Sequence, residues 1–306
     1  MSTMKAIKRR IGSVKNTQQI MKAMNLVAAS KLQKARGRMD TTRPMFDKFK
    51  KIIEGVKVCG EDIDNVFTKK REVKNIAYIV ITSDRGLCGA YNTSVAKEAY
   101  SFMGQNADKG EHILAVGSKG YDYFRRRGKN IVYRHQGSSE NMTFEDAADI
   151  GNKAVRMFKR GDVDEVYVVY THFLSMLSSV PQIDKILPID TQPSDKSEKP
   201  ELSNAAGKAE PAQLGEEEKL YTKMEYDPNI NEFIKEAVPL YLKMYLYGAM
   251  IESVVCEHVS RMTSMEAASR NAEEIHEDLK LEYNRKRQGL ITQEIIEIVS
   301  GASALN

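Results

Sequence analysis

The sequence predicts an α/β protein in which long N- and C-terminal helices form an antiparallel coiled coil, with a Rossmann-like α/β domain inserted between them. Three observations support this prediction. Apolar or small residues recur at alternating steps of four and three near both ends of the 306-residue chain, a period typical of coiled-coil seams. Short β-branched runs alternate with helical segments in the middle. The two ends also carry opposite net charges.

The C-terminal segment, residues 228–300, predicts one very long helix. Asp227 supplies an N-cap and Pro228 a favourable first helical residue. At 1.5 Å per residue the helix would be on the order of 110 Å long, more than an ordinary globular domain needs, so most of it must pack against another element. The seam positions are Ala237, Tyr241, Met244, Gly248, Ile251, Val255, Met262, Met265, Ser269, Ala272, Leu279 and Tyr283.

The N-terminal segment, residues 1–58, predicts a second seam helix, which Pro44 is expected to kink. Polar Gln18 and Asn25 within its seam indicate a fixed helix alignment rather than chemistry. An acid-free basic amphipathic N-terminus is also typical of a mitochondrial transit peptide, but the unbroken seam favours a coiled coil. The seam positions are Ile7, Ile11, Val14, Gln18, Met21, Asn25, Ala28, Leu32, Ala35 and Met39.

The charges of the two helices are complementary. Residues 1–39 contain ten Lys or Arg and no acid, whereas residues 229–306 contain 12 acids and 8 bases. Antiparallel pairing would neutralise part of this imbalance while burying both apolar stripes. The basic end is therefore expected to face the chain's own acidic helix. A coiled-coil nucleic-acid binder that uses residues 5–38 is the competing interpretation, and it requires DNA affinity that falls steeply with salt.

The middle of the chain predicts a largely parallel sheet. Short apolar runs enriched in β-branched residues are separated by segments of helical character, residues 94–103 and 144–158. Such alternation is typical of α/β domains. The expected strands are residues 76–82, 113–116, 131–133 and 166–170, with residues 183–189, bounded by Pro181 and Pro188, as an edge strand.

These patterns divide the chain into four predicted segments. Residues 1–58 form the N-terminal coiled-coil helix and residues 73–190 the α/β domain. Residues 191–220 form a flexible insertion, because this stretch has almost no large apolar residues with which to offset its ordering entropy. Residues 221–306 form a short strand, from Tyr221 to Tyr226, followed by the long C-terminal helix.

No motif of catalysis, cofactor binding or metal binding is recognisable. Residues 83–89 (SDRGLCG) follow the first predicted strand, where α/β folds often bind ligands. However, they do not fit GxGxxG, and residues 117–120 (GSKG) are too short for a phosphate loop. Cys88 as a nucleophile would need a neighbouring base, and a buried turn cysteine is the simpler interpretation. His258 and His276 are eighteen residues apart on one helix, too far apart to share a metal ion.

Composition restricts the class of protein further. No run of 18 apolar residues occurs, so no segment is expected to span a bilayer. The chain has three cysteines, Cys59, Cys88 and Cys256, whose spacing fits neither a disulfide framework nor a CxxC site and favours a reducing compartment. The net charge of +4 is too small to indicate nucleic-acid binding.

Several motifs in chain order resemble the gamma subunit of F-type ATP synthases of the bacterial type. They are residues 16–20 (NTQQI), 22–24 (KAM), 27–31 (VAASK), 83–89 (SDRGLCG), 117–120 (GSKG), 283–288 (YNRKRQ), 291–295 (ITQEI) and 297–302 (EIVSGA). The resemblance covers nearly the whole chain and both seams. Residues 191–219 fall where photosynthetic members of the family carry a cysteine pair; they contain no cysteine, so a thiol switch of that type is excluded.

The resemblance implies a non-catalytic rotor subunit of the central stalk, with no cofactor. The two helices would run through a hexamer of three alpha and three beta subunits. The α/β domain would bind the epsilon subunit and the c-ring, whose proton-driven rotation it transmits to the beta subunits. The chain would be peripheral, on the cytoplasmic face of the bacterial plasma membrane, and would touch the membrane only through the c-ring. Beta-subunit contacts are expected at Arg287, Gln288, Thr292 and Met24. A positive charge added at Met24 would be expected to form an unwanted ion pair with acidic residues of the beta subunit.

One alternative from another class remains at this stage. The chain could be a nucleotide- or small-ligand-binding α/β protein whose helical arms only dimerise it. Asp84 or Cys88 would then carry activity, and equilibrium dialysis against nucleotides would separate the two interpretations.

Overall fold

The computed structural model describes residues 4–58, 65–69, 71–135, 137, 140–176, 178–189 and 229–304. The predicted insertion at residues 191–220, the strand at residues 221–226 and the helix start at Asp227 and Pro228 lie outside these ranges. The described chain falls into two units. One consists of Met1–Leu32, Leu87–Gly89 and His258–Asn306, and the other of Gln33–Gly86 and Ala90–Glu257.

The two terminal helices are present as the seams predict. Helix α1 spans Met4–Val58 and continues through Pro44. Helix α5 spans Ile230–Ala304. The N-terminal part of α1 shares a unit with the C-terminal part of α5, and the C-terminal part of α1 shares a unit with the N-terminal part of α5.

The remaining elements alternate between strands and helices. In chain order they are β1 (Asn75–Ile81), α2 (Tyr91–Gln105), β2 (Gly110–Val116), α3 (Ser118–Arg125), β3 (Ile131–Arg134), α4 (Phe144–Arg160), β4 (Glu165–Phe173) and β5 (Ser179–Leu187). The strand order is β3-β2-β1-β4-β5. The first four strands are parallel, and β5 pairs antiparallel with β4 at the edge. The predicted strands, including the edge strand, are confirmed.

The sheet is buried on both faces, which explains its nearly continuous apolar strands. Alternate residues of β1 face opposite sides. Ala77 and Ile79 belong to the larger core, which includes residues of α4 and α5. Tyr78 and Val80 belong to the smaller core, which includes residues of α2 and α3.

Local signals fix where α4 begins and ends. Thr143 and Asp146 form a capping box, in which each side chain accepts from the backbone amide of the other residue. Gly161 ends the helix with a positive φ of 77°, a conformation that glycine adopts without a Cβ penalty. Within the described residues, no helix has the length and apolar character needed to cross a membrane.

Candidate partner-binding surface

In the first unit, the predicted seams account for the buried faces of both helices. Ile7, Ala28 and Leu32 are buried on α1, and the seam positions between them are half-buried. On α5, the buried seam residues of this unit are Met265, Ser269, Ala272 and Leu279. Tyr283, the last seam position predicted from the sequence, is half-buried. In this unit, the predicted seam positions are therefore the buried or half-buried side of both helices.

Beyond the seam, the end of α5 is exposed on every side. Every residue from Arg287 to Gly301 is exposed. Ile298 is 71% exposed although it is a large apolar residue. Contiguous exposed apolar surface of this kind marks an interaction site in soluble proteins. The other exposed large apolar residues here are Leu290, Ile291, Ile295, Ile296 and Val299; together with Ile298 we call them the apolar end of α5.

The predicted contact residues on α5 lie immediately before and within this end. The Thr292 hydroxyl donates to the Gln288 carbonyl at 2.9 Å, so these two residues share one face one turn apart. Lys286 is held by Glu282 at 3.1 Å. No described residue lies within ion-pair distance of Arg287, so its guanidinium is available to an acidic partner group.

Met24 lies on the other helix of the same unit. It is half-buried, beside the half-buried seam positions Met21 and Asn25. The structure therefore gathers Arg287, Gln288 and Thr292 within two turns of α5 and leaves Met24 apart from them on α1.

Three exposed apolar residues on α1 were missed by the sequence interpretation. Leu26 is 74% exposed, and Ile20 and Val27 are more than half exposed. The signal was present, because these residues are apolar but fall outside the seam register. Attention to off-register apolar positions would have found them.

The polar side chains at the start of the turn after β1 are hydrogen-bonded within the α/β domain. The Asn92 amide donates to the Ser83 hydroxyl at 2.8 Å, and the Asn92 carbonyl oxygen accepts from the Ser83 backbone amide at 2.9 Å. Asp84 accepts from the Ser118 backbone amide at 2.9 Å and from the Ser118 hydroxyl at 3.0 Å. This carboxylate therefore caps the N-terminus of α3.

The cysteines and histidines of the described chain supply no recognisable catalytic or metal centre. Cys88 is buried, and its carbonyl accepts from the Ser260 hydroxyl at 2.6 Å. Burial raises the pKa of the Cys256 thiol, which favours the protonated form. His258 is buried on the seam helix with Nδ1 at 3.3 Å from Arg261. No cluster of three or more His, Cys, Asp or Glu in the described residues could hold a metal ion.

These observations define a class of protein: one with long terminal helices, an inserted α/β domain and an exposed apolar helix end. The comparisons with known proteins agree. The family model described as ATP synthase matches residues 3–305. The ATP synthase gamma chain of Alkaliphilus metalliredigens is 40% identical over 302 residues, covering 99% of this chain and 98% of the relative. The sodium ion specific ATP synthase gamma chain of Acetobacterium woodii is 40% identical over 301 residues, covering 98% of each chain.

A solved structure agrees in fold. A chain from the central stalk and c-ring structure of the Tetrahymena thermophila mitochondrial ATP synthase matches with a TM-score of 0.59 and 24% identity. The match covers 82% of this chain and 99% of that chain. The chain thus belongs to the family of ATP synthase gamma chains, which are non-catalytic stalk subunits.

Proposed function

We propose that the chain is the rotor subunit of the central stalk, which transmits ion-driven rotation of the c-ring to the catalytic beta subunits. The apolar end of α5 is the observation that carries this proposal. Six large apolar side chains within ten residues are exposed in the isolated chain. Burying each of them in a partner would contribute roughly 1.5–3 kcal/mol, so the end of α5 fits a socket in the hexamer of alpha and beta subunits.

The proposed mechanism is mechanical. The end of α5 has apolar side chains around its circumference, whereas Arg287 projects a charge from one side. A rotating surface that is not symmetric makes different contacts with each beta subunit in turn. Because a contact shifts a conformational equilibrium only by its differential affinity for the two states, these differences would move each beta subunit through its nucleotide-binding states.

The remaining assignments of this proposal rest on the resemblance of individual motifs to the family. Arg287, Gln288, Thr292 and Met24 contact beta subunits in this proposal. The α/β domain binds the epsilon subunit and the c-ring, and residues 191–220 remain a surface insertion. The chain is then a peripheral component on the cytoplasmic face of the bacterial plasma membrane, and it touches the membrane only through the c-ring.

Reconstitution tests the proposal. Added to its alpha, beta and epsilon partners on vesicles that contain the c-ring and its membrane partners, the chain should restore ATP synthesis driven by an ion gradient. Tagged copies should also co-purify alpha, beta and epsilon. Hydrolysis of ATP by the isolated chain that is lost in Asp84→Ala or Cys88→Ala would instead establish the enzyme alternative.

The contact residues can be tested in the same assay. Arg287→Ala and Gln288→Ala should each lower coupled synthesis by about tenfold, because a hydrogen bond to a charged group contributes roughly 1.5–3 kcal/mol. Lys280→Ala is the matched control, since Lys280 is exposed two turns earlier on the same helix. Equal effects at Lys280 and Arg287 would remove Arg287 from the proposed contact.

The coupling ion has its own test. The family resemblance implies proton-driven rotation but does not decide between protons and sodium for this chain, and one relative is named sodium ion specific. Coupled synthesis that collapses with a protonophore and persists with a sodium ionophore would support protons. The reverse pattern would assign sodium and leave the rotor proposal intact.

A further inference from the structure

The second unit contains a cavity of about 580 Å³ with no assigned role. Side chains from α1, from strands β4 and β5, and from the N-terminal part of α5 line it. The volume lies within the range of small-molecule sites, which are typically concave, mostly apolar and supplied with a few placed polar groups. The cavity is therefore large enough to hold a small organic molecule.

Aromatic rings form one side of this cavity. The ring centroid of Tyr245 lies 5.3 Å from that of Phe46, 6.0 Å from that of Tyr241 and 6.3 Å from that of Tyr170. All four rings line the cavity. Because aromatic rings attract one another in tilted and edge-to-face arrangements at these distances, the wall favours a planar aromatic guest.

The two carboxylates of the cavity already have donors. Asp184 accepts a hydrogen bond from the Tyr245 hydroxyl and from the Gln182 amide at 2.9 Å. Glu252 accepts from the Phe173 backbone amide at 3.0 Å, and its Oε1 lies 2.8 Å from His172 Nδ1. Burial raises the pKa of Glu252, although the hydrogen bond from Phe173 and the neighbouring His172 act to lower it. Neither acid therefore calls for a cationic ligand.

Three cations line the cavity. Lys185 is engaged by Glu165 at 2.5 Å. Arg43 and Lys50 are exposed on α1, on either side of the lining residue Phe46, about 10 Å apart along the helix axis. No described residue lies within ion-pair distance of Arg43 or Lys50, although Arg43 acts electrostatically on Glu252. Arg43 and Lys50 therefore place positive charge at the cavity.

We propose that this cavity binds a small aromatic carboxylate, with its ring against Phe46, Tyr241 and Tyr245 and its carboxylate at Arg43 and Lys50. The apolar wall supplies ring contacts, and the two cations supply the charge that distinguishes an acid from its neutral analogue. The inference goes beyond the rotor proposal and does not depend on it, since it uses only residues of the second unit.

Isothermal titration calorimetry of the full-length chain with biphenyl-4-carboxylate tests the proposal, and biphenyl-4-carboxamide serves as the uncharged probe. The carboxylate should bind saturably with one site per chain, and the amide at least roughly fivefold more weakly, since an exposed ion pair contributes up to about 1 kcal/mol and two are available. Equal affinity for the two probes, or no saturable heat, would overturn the proposal.

Three variants locate the site. Gly248→Leu should abolish binding, because a Cβ at Gly248 would lie 3.4 Å from Phe46 Cδ2 and a larger side chain would extend into the cavity. Arg43→Gln and Lys50→Gln should each weaken carboxylate binding roughly two- to fivefold and leave amide binding unchanged.

The matched control is Lys48→Gln, which removes the same charge from an exposed position of α1 that does not line the cavity. Circular dichroism and thermal unfolding would confirm that each variant is folded. If Gly248→Leu does not fold, the Arg43 and Lys50 variants decide. The proposal would be refuted if the Arg43→Gln and Lys50→Gln variants both bound the carboxylate as tightly as Lys48→Gln does.

Discussion

The turn at residues 83–89 and the end of α5 both look functional in the sequence, but they differ in how their side chains are engaged in the structure. In the turn, Ser83 and Asp84 are engaged by Asn92 and Ser118. At the end of α5, Arg287 and six large apolar side chains point into solvent. Polar groups that are satisfied internally hold the fold together, whereas unsatisfied charge beside exposed apolar surface indicates a partner.

The first prediction tests the internal packing beside the turn at residues 83–89. Gly117 has φ 86°, and a Cβ there would lie 2.1 Å from the Thr82 carbonyl oxygen. Gly117→Ala should therefore lower the free energy of unfolding by about 3 kcal/mol through backbone strain and overpacking. Chemical denaturation measures the change.

Gly104→Ala is the matched control, because a Cβ there meets nothing within 4 Å inside α2. It should be neutral or stabilise the chain by up to about 1 kcal/mol. Similar losses for the two alanine variants would mean that the packing around Thr82 does not constrain the turn.

The second prediction concerns the end of α5. Ile296→Gln should leave the free energy of unfolding of the isolated chain unchanged within about 0.5 kcal/mol, since the side chain is exposed. The same variant should weaken association with the hexamer by at least about tenfold, because a buried isoleucine contributes roughly 1.5–3 kcal/mol. Denaturation and a binding titration give the two values.

The counterpart of Ile296 is Leu246 on the same helix, which is fully buried. Leu246→Ala should cost about 2–5 kcal/mol of stability. If Ile296→Gln destabilised the isolated chain to a similar degree, the end of α5 would be packed in solution and the contrast between the two regions would fail.

A third prediction separates a structural from a catalytic role for Asp84. Asp84→Ala should cost about 1 kcal/mol, because α3 loses its capping carboxylate. Asp84→Asn should cost less, since its amide oxygen can still accept from Ser118. Thermal unfolding ranks the variants, and ATP turnover by the reconstituted complex should be the same for both. A fall in turnover without a fall in stability would contradict the capping role.

Much of this fold is readable from the sequence, because the period of the apolar residues reports which side is buried. The seams and the five strands were found in this way. The apolar run at residues 290–299, directly after the basic residues 285–287, suggests contact with another protein already in the sequence. The sequence does not show that the run is exposed on every side, since an apolar run looks the same whether this chain or a partner covers it. The role of Asp84 was equally hidden, because its partner Ser118 is 34 residues away. Partners distant in sequence leave no local pattern.

The smallest expected effect concerns Asp146 of the capping box. The hydrogen bond from the Thr143 backbone amide lowers the pKa of Asp146 below its usual 3.8. Burial acts to raise this pKa, and the Thr143 hydroxyl and His135 contribute smaller decreases. A carboxyl whose pKa is lower in the folded state stabilises the fold above its unfolded pKa, and this stability is lost as pH falls through the folded pKa. Asp146→Asn should therefore lower the melting temperature at pH 7 by more than at pH 3.

The control is Asp108→Asn, at an exposed position without a described hydrogen-bond donor, which should change neither melting temperature. Equal losses for Asp146→Asn at both pH values would show that the capping box does not depend on the charge of Asp146.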